Sequence, residues 1–178
     1  MIVEEAVNKL LRDSVNLILD TSNFTIRAKQ KDAPRPTGSY ADVSIVNNIT
    51  LGWEQRTLKN NTGDEDLTET IEGMRELMFS IGFYRDGSID NAEKARIGFI
   101  RESIQELFGT AGIGLTRRSE VRSISEALEN GWEERAQFDI VLSAVGSDSD
   151  IVTSILAVDI AGAFQARGLE YNFTIEVQ

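Results

Sequence analysis

Acidic residues cluster twice in this chain, as "GDEDLTE" (Gly63 to Glu69) and as "GSDSD" (Gly146 to Asp150). Carboxylates so placed could hold calcium, or Asp64, Glu65 and Asp66 could serve a small carboxylate-dependent enzyme. Neither run has the ligand spacing of an EF-hand loop, so both read as solvated turns. "GTAGIGL" (Gly109 to Leu115) raises phosphate binding. It follows a helical segment instead of opening one, and no Lys-Ser/Thr pair comes after it, so the dinucleotide and Walker readings fail on context. The chain has no histidine and no cysteine. That removes the usual general base, the commonest metal ligand, disulfides, thiolate metal sites and every Ser-His or Cys-His pair. No catalytic residue, metal ligand or cofactor is assigned, and the expectation is a protein that is not an enzyme.

Two other groups of residues fit binding better than catalysis. Arg117, Arg118 and Arg122 in "TRRSEVR" form the densest basic cluster. It is too small for a nucleic-acid footprint, but the planar fork of arginine suits bidentate pairing with carboxylates of a neighbouring subunit. Surface arginines with no partner are the plainer reading. The second group is "QKDAPRPTGSY", which takes both prolines of the chain, Pro34 and Pro36. Each proline fixes its own φ and pushes the residue before it, Ala33 or Arg35, out of the helical region. "APRP" is therefore held extended, and Gly38 permits a turn before a strand opens at Tyr40. So stiff an arm loses little entropy on docking; a rigid connection into a strand is the alternative. Trp53 and Trp132, the only tryptophans, suit core packing or an interface.

The elements that must carry these residues are legible from periodicity. "VEEAVNKLLRDSVNLILDTS" reads as a helix with Val3, Val7, Leu10, Leu11 and Ile18 on one face. "DNAEKARIGFIRESIQELFG" reads as a second helix. Asp90 and Glu93 resemble a capping box, Ile97, Ile100, Ile104, Leu107 and Phe108 form a stripe, and Gly109 ends it. Strands are expected at "FTIRAKQ", at "YADVSIVNNITLGWEQRTL" and at "MRELMFSIGFYR", where Leu77, Phe79, Ile81 and Phe83 share a face. "RSEVRSISE" reads as a short strand. "ENGWEERAQFDIVLSAV", "IVTSILAVDIAGAFQ" and "LEYNFTIEVQ" follow as strands, with "GSDSD" as a hairpin turn between the first two. The result is one α+β domain over 1–178: a mainly antiparallel β-sheet packed with two principal α-helices, and an exposed polar excursion at about 59–73.

The net charge of −11 repels nucleic acid and anionic membranes at long range. The N-terminus lacks a basic segment of the signal-peptide kind, and the longest apolar stretch, Ile151 to Phe164, is too short to span a bilayer. A chain made in the cytoplasm, or carried in a particle assembled there, is expected.

A short strand followed by Asp32, Ala33, Pro34, Arg35, Pro36, Gly38 and Tyr40 in this order resembles the neck or tail-terminator proteins of long-tailed bacteriophages. The helix "NAEKARIGFIRESIQELF" mid-chain and "WEERAQFDIVLSAV" after it agree with that family. The resemblance implies a tail-terminator-like fold and a structural virion protein: a homo-oligomer, six-fold, that caps the tail tube and meets the neck connector and, where there is one, the sheath. DNA would pass through the lumen without specific binding, and no membrane is involved. Six copies would carry about −66 from six times −11, a charge over which DNA slides. Asp32, Ala33, Pro34, Arg35, Pro36, Gly38, Tyr40, Arg117, Arg118 and Arg122 are the interface residues this reading assigns. Another neck or tail component, a head-completion or tube protein, is the alternative.

Overall fold

A computed structural model describes residues 4–29, 34–60, 66–128, 131–153, 158–166 and 169–177. It divides into two compact units. One comprises Met1–Glu54 and Glu72–Ser147; the other comprises Gln55–Ile71 and Asp148–Gln178.

The first unit opens with helix α1 (Glu4–Leu19). Glu4 and Glu5 sit in its first turn, where the helix dipole favours carboxylates. Val7, Leu11, Val15 and Ile18 recur at helical spacing and are buried, while Leu10 is partly covered and Val3 lies outside the described residues. Each such burial contributes about 1.5–3 kcal/mol. Asn8 fastens the helix to the sheet by donating to the Val43 carbonyl at 3.1 Å. Strand β1 (Thr25–Arg27) then runs parallel to the start of β2 (Tyr40–Asn60), with Thr25 opposite Ala41. Adjacent parallel strands need a crossover of about a dozen residues, most often through a helix. Here the crossover is the proline segment. In its described part, residues 34–39, there is neither helix nor strand, and the proline rings stiffen the path without hydrogen bonds of their own.

The principal sheet has six strands in the order β1, β2, β3 (Asp66–Tyr84), β8 (Arg135–Thr153), β4 (Ile113–Arg118), with β5 (Arg122–Ser123) also paired to β8. Both β4 and β5 run antiparallel to β8. A small hairpin is made by β6 (Glu126–Leu128) and β7 (Gly131–Glu133). In the second unit, β9 (Val158–Ala166) and β10 (Leu169–Val177) pair antiparallel in unbroken register. The fold is the expected α+β class, mostly antiparallel.

One face of the sheet makes the core of the first unit. Leu77, Phe79, Ile81 and Phe83 of β3 are all buried, as their alternation requires, beside Ala136, Phe138, Ile140 and Leu142 of β8. Phe138 meets Phe83 at 6.1 Å between ring centres and Phe99 edge-on at 6.2 Å.

Three expectations are corrected. The mid-chain helix is two helices, α2 (Ser88–Gly98) and α3 (Glu102–Thr110), separated by a turn in which the Arg101 N–H bonds the Gly98 carbonyl. Ala92, Ala95 and Gly98 form a stripe of small residues, and a Cβ on Gly98 would collide with Ile18 of α1. Breaking the helix at that crossing lets Phe99 turn into the core. Ile104 and Phe108 are buried, but Ile97, Ile100 and Leu107 stay exposed. The cap is Gly87 at φ 76°, with no side-chain hydrogen bond; Glu93 pairs with Arg96 instead. Second, "GSDSD" is no turn: β8 runs on through it, with Asp148, Ser149 and Asp150 exposed. A solvated strand and a turn have the same polar composition. Third, the polar stretch 59–73 largely continues the two strands, Lys59 and Asn60 closing β2 and residues 66–73 opening β3, while 61–65 lie outside the described residues.

Candidate functional site

The proline arm ends on a cluster of arginines, tyrosines and carboxylates at the end of β3. Asp32 and Ala33 lie outside the described residues. Pro34 and Arg35 are exposed and Pro36 is half-buried. The Arg35 guanidinium stands 5.9 Å from the centre of the Tyr84 ring and 3.8 Å from Glu133. Gly38 accepts at its carbonyl from Arg85 at 3.0 Å, and the Ser39 hydroxyl donates to the Asp86 carbonyl at 3.0 Å. Tyr40, the first residue of β2, is buried.

Glu133 is the hub of this cluster. Its side chain is 7% exposed and faces three arginines: Arg135 Nε at 2.6 Å, Arg85 at 3.7 Å and Arg35 at 3.8 Å. Removing a carboxylate from water is costly unless opposite charge and hydrogen bonds replace the solvent, and Arg135 supplies both. Arg135 also pairs with Glu126 and lies over Tyr84, while Arg85 lies over Tyr40. Cations over aromatic faces are attracted by the ring quadrupole, so the tyrosines hold the arginines in place.

Behind the rings is Asp42, half-buried, which accepts from the Tyr84 hydroxyl at 3.2 Å. Burial pushes the Asp42 carboxyl up, against the hydrogen bonds from Tyr84 and the Gly82 backbone that lower it. The Tyr84 phenol is pushed up to about 12 by its own burial and then by the neighbouring Asp42 charge, so at neutral pH it is a hydrogen-bond donor. Gly82 makes room: a Cβ there would lie 2.7 Å from Asp42 Oδ1. This is a structural clamp. Among the described residues no group of three or more acidic side chains is placed to hold a metal ion.

The other assigned residues are also held within the chain. Arg117 pairs with Glu76 at 3.1 Å, Arg122 pairs with Asp139 at 2.6 Å, and Arg118 donates to the Arg96 carbonyl. Among the described residues, this set shares no ion pair with the cluster around Glu133. The resemblance pointed to Tyr40, and the sequence reading missed Tyr84, Asp42, Arg85, Glu133 and Arg135. The signal available was aromatic and charged residues crowding two strand ends, "FYRD" and "WEER".

Neither tryptophan is in the core: Trp53 is 99% exposed and Trp132 79%. Trp132 borders a cleft of about 440 Å³ with Thr37, Ser39, Arg85 and Glu134. Gly52, at φ 74°, takes the left-handed conformation typical of a bulge just before Trp53. Beyond the covered part of the sheet, Val46, Ile49 and Leu51 of β2, Met74 of β3 and Val145 of β8 are also exposed. Exposed apolar side chains on long strands are candidates for contact with another surface. No helix among the described residues is long and apolar enough to cross a membrane.

Comparison with curated proteins gives no match. A family model described as phage neck terminator protein matches residues 2–166, nearly the whole chain. The chain therefore belongs to the phage neck terminator protein family and is a structural component of the virion neck.

Proposed function

We propose that this protein is a tail terminator: copies form a closed ring that caps the tail tube, joins it to the head-side connector, and leaves a lumen for DNA. The observation that carries the reading is the family match over residues 2–166. The exposed Val46, Ile49, Leu51, Trp53 and Met74 support it, because a ring needs one surface of each subunit to meet a different surface of the next. The charge of −11 suits a passage for DNA that must not bind it. The clamp around Glu133 gives the proline arm a second use. It fixes Pro34, Arg35 and Pro36 as a rigid edge that a neighbouring subunit or the tail tube can meet without ordering cost.

Light scattering and negative-stain images of the purified protein, alone and mixed with purified tail tubes, test the reading. Rings, free or seated on one end of each tube, are expected. Protein that neither assembles nor caps tubes overturns it. Protein that polymerises into long tubes favours a tube component instead.

A further inference from the structure

The principal sheet of the first unit has two free edges, and they differ. At one, β1 covers β2 only from Ala41 to Val43. From Ser44 to Glu54, β2 has β3 on one side and, among the described residues, no strand on the other. At the far edge β4 pairs with β8 alone. Open edges offer unpaired N–H and C=O groups, and proteins ordinarily guard them with charge, proline or brevity. "SIVNNITLGWE", Ser44 to Glu54, has no proline and a single charged residue at its end, and its Val46, Ile49 and Leu51 are exposed. Apart from the left-handed Gly52 near its end, this long edge carries none of the usual guards and is free to be paired.

The charges beside the two edges choose the partner. Next to β2, Glu4 accepts from Asn48 Nδ2 at 3.2 Å and has no cationic partner among the described residues. On β4, Arg117 is neutralised by Glu76. Arg118 has only the Arg96 carbonyl and no carboxylate among the described residues. Glu4 is thus a carboxylate without a paired cation beside one edge, in a groove it shares with Lys29, and Arg118 is a guanidinium without a carboxylate beside the other. We infer that the β4 edge of one copy pairs with the Ser44–Glu54 edge of β2 in the next, bringing Arg118 towards the neighbour's Glu4, so that the sheet continues from subunit to subunit. Two different edges meeting head to tail generate a ring where the rotation closes. The inference rests on the ring reading and specifies its interface.

The chain has no cysteine, so introduced thiols report cleanly. Phage particles would be assembled with Val46→Cys, with Thr116→Cys, or with both in one chain, and treated with a short bis-maleimide. Ile49→Cys with Thr116→Cys is the second pair, should the first not assemble. The expected result is a ladder of covalent multimers from the double variant and only monomer from each single variant. Dimers from Thr116→Cys alone would mean that like edges meet, and would overturn the proposal. Only monomer from both double variants, in particles whose images show a ring of this chain, would overturn edge pairing and leave the ring standing. Particles without such a ring would overturn both.

Discussion

Tyr84 lies flat on Tyr40, with ring centres 4.6 Å apart and planes 10° apart. The contact joins the last residue of β3 to the first of β2, so the strand that follows the proline arm begins locked against the strand that leads into Arg85. Tyr84→Phe keeps the ring and removes the hydroxyl that Asp42 accepts from. A loss of about 1–2 kcal/mol is expected, typical of a hydrogen bond to a charged or partly buried group. Urea unfolding would measure it; an unchanged midpoint would mean that Asp42 is satisfied without Tyr84.

Asp42 makes stability depend on pH in the direction opposite to most carboxylates. Its folded-state pKa is raised, chiefly by burial, so the folded protein holds the proton more tightly than the unfolded chain. The contribution favours folding below the unfolded carboxylate pKa and is lost as pH rises through the raised folded value. Asp42→Asn keeps an acceptor for Tyr84 and removes the titration. The variant is expected to be more stable than the parent at neutral pH, with the gap shrinking as pH falls through the carboxylate range. A parent that is more stable at neutral pH would contradict the assignment.

Glu133→Gln removes the charge that Arg35, Arg85 and Arg135 share. Breaking a buried pair leaves unpaired charge; with Arg35 partly solvated, the expected cost is about 1–3 kcal/mol. The arm should also loosen, so the backbone amides of Thr37, Gly38 and Ser39 should exchange with solvent faster than in the parent under native conditions. Equal exchange rates would show that the prolines alone fix the arm.

Gly98→Ala is expected to cost about 1–3 kcal/mol, because a Cβ there overlaps Ile18 where α1 and α2 cross. In a chain that also carries Ile18→Ala, which removes the Cγ atoms the new Cβ meets, Gly98→Ala should cost less. Thermal melts of the two variants separate this overlap from a general helix effect, for which the second substitution would do nothing.

Much of the fold was legible where one physical rule acts alone. The alternation of Leu77, Phe79, Ile81 and Phe83 marked the buried face of β3, and the spacing of Val7, Leu11 and Ile18 marked that of α1. The mid-chain helix misled because two requirements compete there. Helical spacing joins Ile97 to Phe108, but close approach of α1 at Gly98 breaks the run. At the clamp, the sequence offered the stiffness of Pro34 and Pro36 and the position of Tyr40. Glu133 and Arg135 lie nearly a hundred residues further on, and only the placing of β8 and β7 beside the end of β3 makes them partners. The exposed tryptophans were ambiguous by nature, since the same side chain suits a core or an interface.

The most direct test of the terminator reading is the number and position of copies of this chain in the virion. Cryo-electron microscopy of intact particles, with quantitative mass spectrometry of the same preparation, would give both. The account predicts a single six-membered ring at the junction of tail and neck. Copies repeating along the tail would contradict it and make the chain a tube protein; copies elsewhere in the particle would contradict it outright.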